Sequence, residues 1–498
     1  MKILEEVLYF DFQILPENAE KFVYASALIT RKDESLKELI EKIIDEKSIE
    51  NFIKTSIEAG HASVSTHPIA CGEFYGSRVL DYYLSSSTWG SSYLIYSQRV
   101  IRPSKEDILI PTKIVNSGYE KEFLKTSINQ FETYENLLER DKSFRNLEKA
   151  RRVIGFQFPS RGSFVLTLQA LANIVNGIDY KDKFVPNELK VLKNKVIEKS
   201  KNNRLLSAIL NSPGSLRITR EIFYNPEYSF VSKIAERENF PEYMILEEKL
   251  LDENLLSTIL EDLGKKEEKY RDKIIKEIEI GNFENAKKYY NDFSRKLAYD
   301  IPFYNLYSVT VLIKMSLAMF NEFKRHRTIK MIPESIYNAV KRREFYVPKA
   351  YKGKEELEDY YINSLNNSVD SYEKLVEDGA EISEAIYLVP QGLQIYVIAD
   401  FDLSHLLLPF NFYKIRNCFT AEEEIQNFAR KLPTILRSSK YKVISKDLVE
   451  KHMMYNDEVK SKCQLGICPE KNYCEIVFKF NKKYNKEIHE RLRRIYLI

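Results

Sequence analysis

Apolar residues recur at helical spacing early in the chain. Leu36, Leu39, Ile40 and Ile43 mark one helix, Phe52, Ile53 and Ile57 a second after Ser48, and Gly60 stops it. Residues 70–77 alternate as a strand does, residues 78–84 begin a helix, and a serine-rich loop over 85–92 leads to Ser97-Gln98-Arg99. Helical periodicity follows over 119–153, then a strand over 160–168 and a short apolar helix over 170–177. The order recurs downstream. Residues 304–313 have strand composition, 316–324 read as a helix with Arg325-His326-Arg327 at its end, 355–378 as a helix, 393–400 as a strand, and 403–413 and 421–432 as helices.

Two halves, 1–215 and 216–445, thus share one succession at a period far longer than any solenoid repeat, which predicts duplication of a whole domain. Asn211-Ser212-Pro213-Gly214-Ser215 is the strongest break signal between them. A run dense in Glu, Lys and Leu over about 236–297 reads as an inserted, solvent-exposed helical hairpin. Residues 446–498 form an extension with no counterpart in the first half.

With 44% hydrophobic and 30% charged residues in 498, each half can bury its own core. The 76 basic residues exceed the 73 acidic ones by only three, so the chain lacks the basic footprint of a nucleic-acid or membrane-surface protein, and small anions are the expected partners. No apolar run approaches the roughly 20 residues that cross a bilayer, and the opening segment is acidic where a signal peptide is basic, so a cytoplasmic location is expected. Cys463, Cys468 and Cys474 bunch near the end of the chain. Their spacing is looser than paired C-x-x-C knuckles, so they read first as ordinary buried thiols, and only weakly as a metal site with His452 or Cys418 as a fourth ligand or as a redox disulfide.

Arg325-His326-Arg327 presents two guanidinium forks and an imidazole, a set suited to phosphates and an electron-rich ring. Ser335 stands ten residues after Arg325, as Ser97 does after Ser87 when the upstream copy is laid beneath it. This pattern resembles the flavin-dependent thymidylate synthases, whose signature is an RHR triplet continued as S-x-R, with the serine ten residues after the first arginine. The resemblance covers most of 20–180 and 300–435. It implies an α+β fold, an antiparallel sheet with a prominent helical layer, present twice.

The likeness extends residue by residue and divides between the halves. His61-Ala62-Ser63 and Thr66-His67 resemble the family's H-x-[ST]-P-x-E-H segment beside the flavin, with Val64 for the proline and Thr66 for the glutamate; core and capping histidines are the alternative. Ser97, Gln98 and Arg99 match S-x-R, but Ser87-Thr88-Trp89 replaces the triplet. Ala150-Arg151 resembles A-R-x-V-L-P, with Gly155 for the proline, although a helix-surface arginine reads as well. The second half keeps Arg325, His326, Arg327 and Ser335, while Tyr337 and Ile386 replace the S-x-R and A-R arginines. It also keeps Arg416, in a stretch resembling F-L-x-L-R…H-A-Q-x-E-I, where the family's arginine polarises the pyrimidine; pairing with Glu424 is the alternative.

The resemblance therefore implies Arg416 as catalytic, His61, Ser63, Arg325, His326 and Arg327 as flavin ligands, and Ser97, Gln98, Arg99, Arg151 and Ser335 as substrate ligands. It implies dUMP methylation with FAD, NADPH and methylenetetrahydrofolate, in sites shared between halves, by a dimer that mimics the family's homotetramer. The losses in each half also suit a non-catalytic nucleotide- or flavin-binding paralogue. A flavin enzyme methylating uracil in RNA is a third reading.

Overall fold

The computed structural model describes residues 1–461 apart from 44, 61–64, 88, 100, 143–144, 213–219, 239, 301–305, 409–410, 419–420, 455–458 and 460. The break expected at 211–215 falls largely outside these residues, as do His61, Ser63, Cys463, Cys468 and Cys474. The chain forms two four-stranded antiparallel sheets. In the first the order is Tyr9–Leu15, Ile69–Ser77, Pro159–Thr167, Ser91–Ile95; in the second it is Tyr243–Leu250, Tyr307–Ser316, Gln394–Asp402, Lys330–Pro333. Both sheets take their strands in the sequence order first, second, fourth, third, the topology expected of a duplicated α+β unit.

Each central strand runs directly into a helix, and one residue at each joint explains why. Ser77, Thr167, Ser316 and Asp402 end their strands with side-chain oxygens that accept hydrogen bonds from the first free amides of the helices Arg78–Leu84, Leu168–Asn176, Leu317–Phe323 and Leu403–Leu407. The two serine joints are held again from outside. Glu188 accepts from the Ser77 amide at 2.7 Å and from its hydroxyl, and Glu424 does the same at Ser316, also at 2.7 Å from the amide.

Two expectations need correction. Residues 243–250 lie within the segment read as a helical insertion, yet they form the first strand of the second sheet; only Glu253–Glu279 and Phe283–Asp300 make the helical pair. The apolar run 403–413 does not form one helix. It gives Leu403–Leu407 and Phe412–Arg416, the second restarted by Asn411, whose side chain accepts from the Phe412 amide. Among the described residues no helix is long and apolar enough to cross a membrane.

The halves meet along the segments 150–158 and 385–393. Phe156 N–H donates to Tyr387 O at 2.7 Å, Gln391 N–H to Ile154 O at 3.1 Å and Gly392 N–H to Arg152 O at 2.8 Å. A Cβ on Gly155 would lie 2.4 Å from the Tyr387 carbonyl oxygen, so backbone proximity demands glycine there. Arg152, wholly buried, crosses from the first half to Glu422 and, at 3.0 Å, Glu424 of the second. Removing one partner of such a cluster strands charge in a low-dielectric interior. Arg152→Met should lower unfolding stability by about 3–5 kcal/mol, measured by urea denaturation.

Candidate functional site

Where the two halves join, guanidinium groups from both converge. Arg99 follows the Ser91–Ile95 edge strand and donates through Nε to Glu148 Oε2 at 2.8 Å. Arg151 begins the one-turn helix Arg151–Val153. From the second half come Arg325, just beyond the helix Leu317–Phe323, and Arg416, at the end of Phe412–Arg416. Glu322, one residue before the end of the first of these helices, feels all four. Burial alone would push its carboxyl up; Arg325, Arg99, Arg151 and Arg416 outweigh burial and hold it well below the usual carboxylate range.

Arg151 is 2% exposed, and its Nε and Nη2 atoms have no hydrogen-bond partner among the described residues. Buried guanidinium donors are costly to leave unmade, so this pair has the capacity to take a further acceptor. Glu148 is the pivot on the first-half side: it takes Arg99 on one oxygen and the Glu423 N–H, at 2.7 Å, on the other. Arg416 is a neighbour of this array, and it does not pair with Glu424. Its Nε donates to His326 Nε2 at 2.7 Å, and Glu424 is taken by Arg152 and Ser316.

His326 accepts that bond as a neutral ring packed edge-on against Phe412, with centroids 4.9 Å apart. Burial, then Arg416, His405 and Arg220, hold its pKa well below the ordinary histidine value. The triplet's backbone is fixed by Arg220, whose buried guanidinium donates to the carbonyls of Lys324, His326, Arg327 and Ile329. Arg325 and Arg327 are left facing outward, and Arg327 Nη2 reaches Ser92 Oγ of the first half at 3.3 Å. Lys324, just before the triplet, is buried over the Tyr82 ring of the first half and donates to Tyr82 O at 2.8 Å; burial lowers its pKa to about 7. Beside the triplet, Thr328, Lys330, His405 and Lys249 line a polar cavity of about 470 Å³.

Not every expected ligand joins the array. Ser335 is fully buried at the start of the helix Ile336–Arg342 in the body of the second half, where its hydroxyl donates to Tyr224 O at 2.6 Å and makes no capping bond to the helix. Gln98 is buried in the seam and accepts from Gln391 at 3.1 Å. Ser97 accepts from the Arg99 N–H at 3.2 Å, shaping the turn that aims Arg99. His67 packs near Phe22, and His452 lies 3.0 Å from Glu267. Glu322, Glu148 and Arg220 went unread in the sequence. Glu322 had a signal, the one charged residue of its helix and three residues before Arg325, and Glu148 another, at three and four residues before Arg151 and Arg152.

The pseudo-equivalent position elsewhere in the chain is filled. Ser92 pairs with Val165 and Lys330 with Asp400, each two residues before a helix-capping residue, so Ser97 matches Ser335 and Arg99 matches Tyr337. Counting from the cap serines, Glu322 matches Tyr83, and the one-turn helices match Arg151 with Ile386. Tyr83, Tyr337 and Ile386 are all buried, the tyrosines donating to Ile174 O and Phe184 O at 2.7 Å each. Phe184 packs on Tyr337 with centroids 4.9 Å apart.

The family described as thymidylate synthase complementing protein matches residues 12–181 and 265–439, about two-thirds of the chain. The chain belongs to that family and carries its domain twice. The second match begins at 265, inside the stretch expected to lie outside the resemblance. A similar solved structure is the UMP/dUMP methylase PolB from Streptomyces cacaoi bound with 5-Br dUMP, at 12% identity and a TM-score of 0.36, covering 43% of this chain and 98% of that one. No curated protein matches the chain.

In the unfolded chain His326 takes up a proton near pH 6.5, whereas in the folded one it stays neutral. Its contribution to stability is complete above about pH 6.5 and is lost as the pH falls towards the depressed folded value. His326→Gln should flatten the slope of unfolding free energy between about pH 6.5 and 5, read by urea titrations at each pH.

Proposed function

We propose that this protein is a cytoplasmic thymidylate synthase that methylates dUMP to dTMP, with FAD as its redox cofactor and methylenetetrahydrofolate and NADPH as co-substrates. The observation that carries the reading is the meeting of Arg99 and Arg151 from one half with Arg325 and Arg416 from the other around Glu322, all within a single chain. The donor set suits a phosphorylated flavin. Arg325 and Arg327 face outward on a backbone pinned by Arg220, and would hold its phosphates; His61 and Ser63 are proposed to complete that side. When bound, FAD supplies the electrons of the reductive methylation.

The chain's own residues do the rest by position and charge. Arg99 and the unpartnered donors of Arg151 take the nucleotide phosphate, with Ser97 shaping the turn beside them. Arg416, steered by the neutral ring of His326, sets a fixed cation against the pyrimidine. In a partly desolvated site that cation stabilises negative charge on the ring more than water does, which raises the nucleophilicity of its carbon. Keeping His326 neutral matters here, because a protonated ring could not accept the Arg416 N–H. No nucleophilic cysteine is needed. Two chains pairing would reproduce the four-domain assembly of the family.

Arg416→Ala should lower tritium release from labelled dUMP by about 10²–10³-fold while circular dichroism stays unchanged. Wild-type turnover in that variant would sink the assignment. Because Tyr337, Phe184 and Ile386 fill the twin position, calorimetric titration should find one dUMP per chain, and two would contradict the single-site reading.

A further inference from the structure

Arg99 closes on Glu148 at 2.8 Å and Arg152 on Glu424 at 3.0 Å, and where Arg145 stands 4.0 Å from Glu148 Oε1, that oxygen accepts from the Glu423 N–H. Glu322 behaves differently. Its side chain is 9% exposed, the nearest cationic atom is Arg325 Nη1 at 4.0 Å, and among the described residues its carboxylate accepts no hydrogen bond. Arg416 approaches the Glu322 backbone carbonyl, at 3.5 Å, and not the carboxylate. Arg325 and Arg416 thus stand beside a carboxylate that neither clasps, Arg99 and Arg151 act on it from farther off, and Arg151 keeps two buried donors without a partner among the described residues. A carboxylate that served only to neutralise buried arginines would be bonded to them, since desolvated charges gain most from direct contact. The twin position carries the same lesson in reverse: where Arg99 and Arg151 give way to Tyr337 and Ile386, Glu322 gives way to Tyr83.

We infer that Glu322 is an internal counter-ion of the arginine array, a specificity-determining charge that holds the affinity of the site for phosphate dianions below what its guanidiniums alone would give. This rests on the proposed nucleotide site and adds what sets its strength. A phosphate drawn to Arg99 and Arg151 lies within Coulomb range of Glu322. At an effective dielectric near 20, one like charge about 8 Å away weakens binding on the order of tenfold or more. The same charge keeps the empty array from being a bare cluster of cations, and favours release of a phosphorylated product.

The test is calorimetric titration of wild type, Glu322→Gln and Glu322→Asp with inorganic phosphate, dUMP and uncharged deoxyuridine. Glu322→Gln should bind phosphate and dUMP about tenfold more tightly and leave deoxyuridine unchanged, while Glu322→Asp, which keeps the charge, stays within about threefold of wild type. Equal or weaker phosphate binding by Glu322→Gln overturns the inference. So does Glu322→Asp behaving like Glu322→Gln, which would make shape the cause, or weakened deoxyuridine binding, which would put a nucleoside donor on Glu322. Wild type that takes no dUMP, but gains phosphate affinity on Glu322→Gln, keeps the counter-ion and removes the nucleotide reading. Wild type that binds dUMP with an affinity Glu322→Gln leaves unmoved does the opposite.

Discussion

A single guanidinium, that of Arg152, lies fully buried between two carboxylates of the other half, and the geometry of the array depends on it. Burial raises the pKa of Glu424, with Arg152 opposing and Glu422 adding to the rise; the contact between halves is thus an unscreened charge cluster as well as an apolar surface. From Arg152 the connections run outward. Its Nη1 donates to Glu148 O at 2.7 Å, Glu148 holds Arg99 and the Glu423 amide, and the Arg152 carbonyl accepts from Gly392 N–H. Glu422 then caps the helix Glu423–Leu436, which carries Glu424 to the joint between strand and helix at Ser316. A shift of the halves by an ångström would break this chain of bonds before it disturbed either sheet.

The two halves have kept one architecture and parted in chemistry. Both retain a cap serine clasped by a glutamate, Ser77 with Glu188 and Ser316 with Glu424. The groups reaching across to those glutamates differ: Arg152 reaches Glu424, and its counterpart Tyr387 reaches Glu188 at 3.1 Å. A tyrosine leaves its carboxylate without a cation, and burial pushes Glu188 up to about 7. One side of the pseudo-symmetric seam is therefore ionic and open to anions, and the other is aromatic and closed. Hydrophobic filling at Tyr83, Tyr337 and Phe184 stabilises the closed side without any ligand.

Much of this was legible from periodicity. Seven of the eight strands and helices that meet at the joints Ser77, Thr167, Ser316 and Asp402 lie within about three residues of their sequence-based bounds, because Ser, Thr and Asp caps and apolar spacing act locally. The short edge strands Ser91–Ile95 and Lys330–Pro333 were not, since their residues owe strand geometry to the neighbours they pair with. Tyr243–Leu250 was hidden by its charges: Glu247, Glu248 and Lys249 look like a helical surface until the strand is seen at a sheet edge beside a register shift. Motif spacing singled out Arg99, Arg151, Arg325 and Arg416, and the division of the motifs between the halves implied a shared site; Ser335 was expected there too, although tertiary packing turns that serine inward. Glycine at 155 looked like a lost proline. Its reason is the carbonyl of Tyr387, a contact between residues far apart in sequence.

Joining both walls of the array in one polypeptide changes what a mutation can do. In an assembly of identical subunits every substitution appears at every copy of an interface, so a residue useful on one wall must be tolerated on all the others. Here Glu322 could arise opposite Arg151 while its counterpart became Tyr83, and each change was felt once. Fusion also makes the pairing of Arg99 with Arg416 independent of dilution, since the two halves are tethered at a fixed effective concentration.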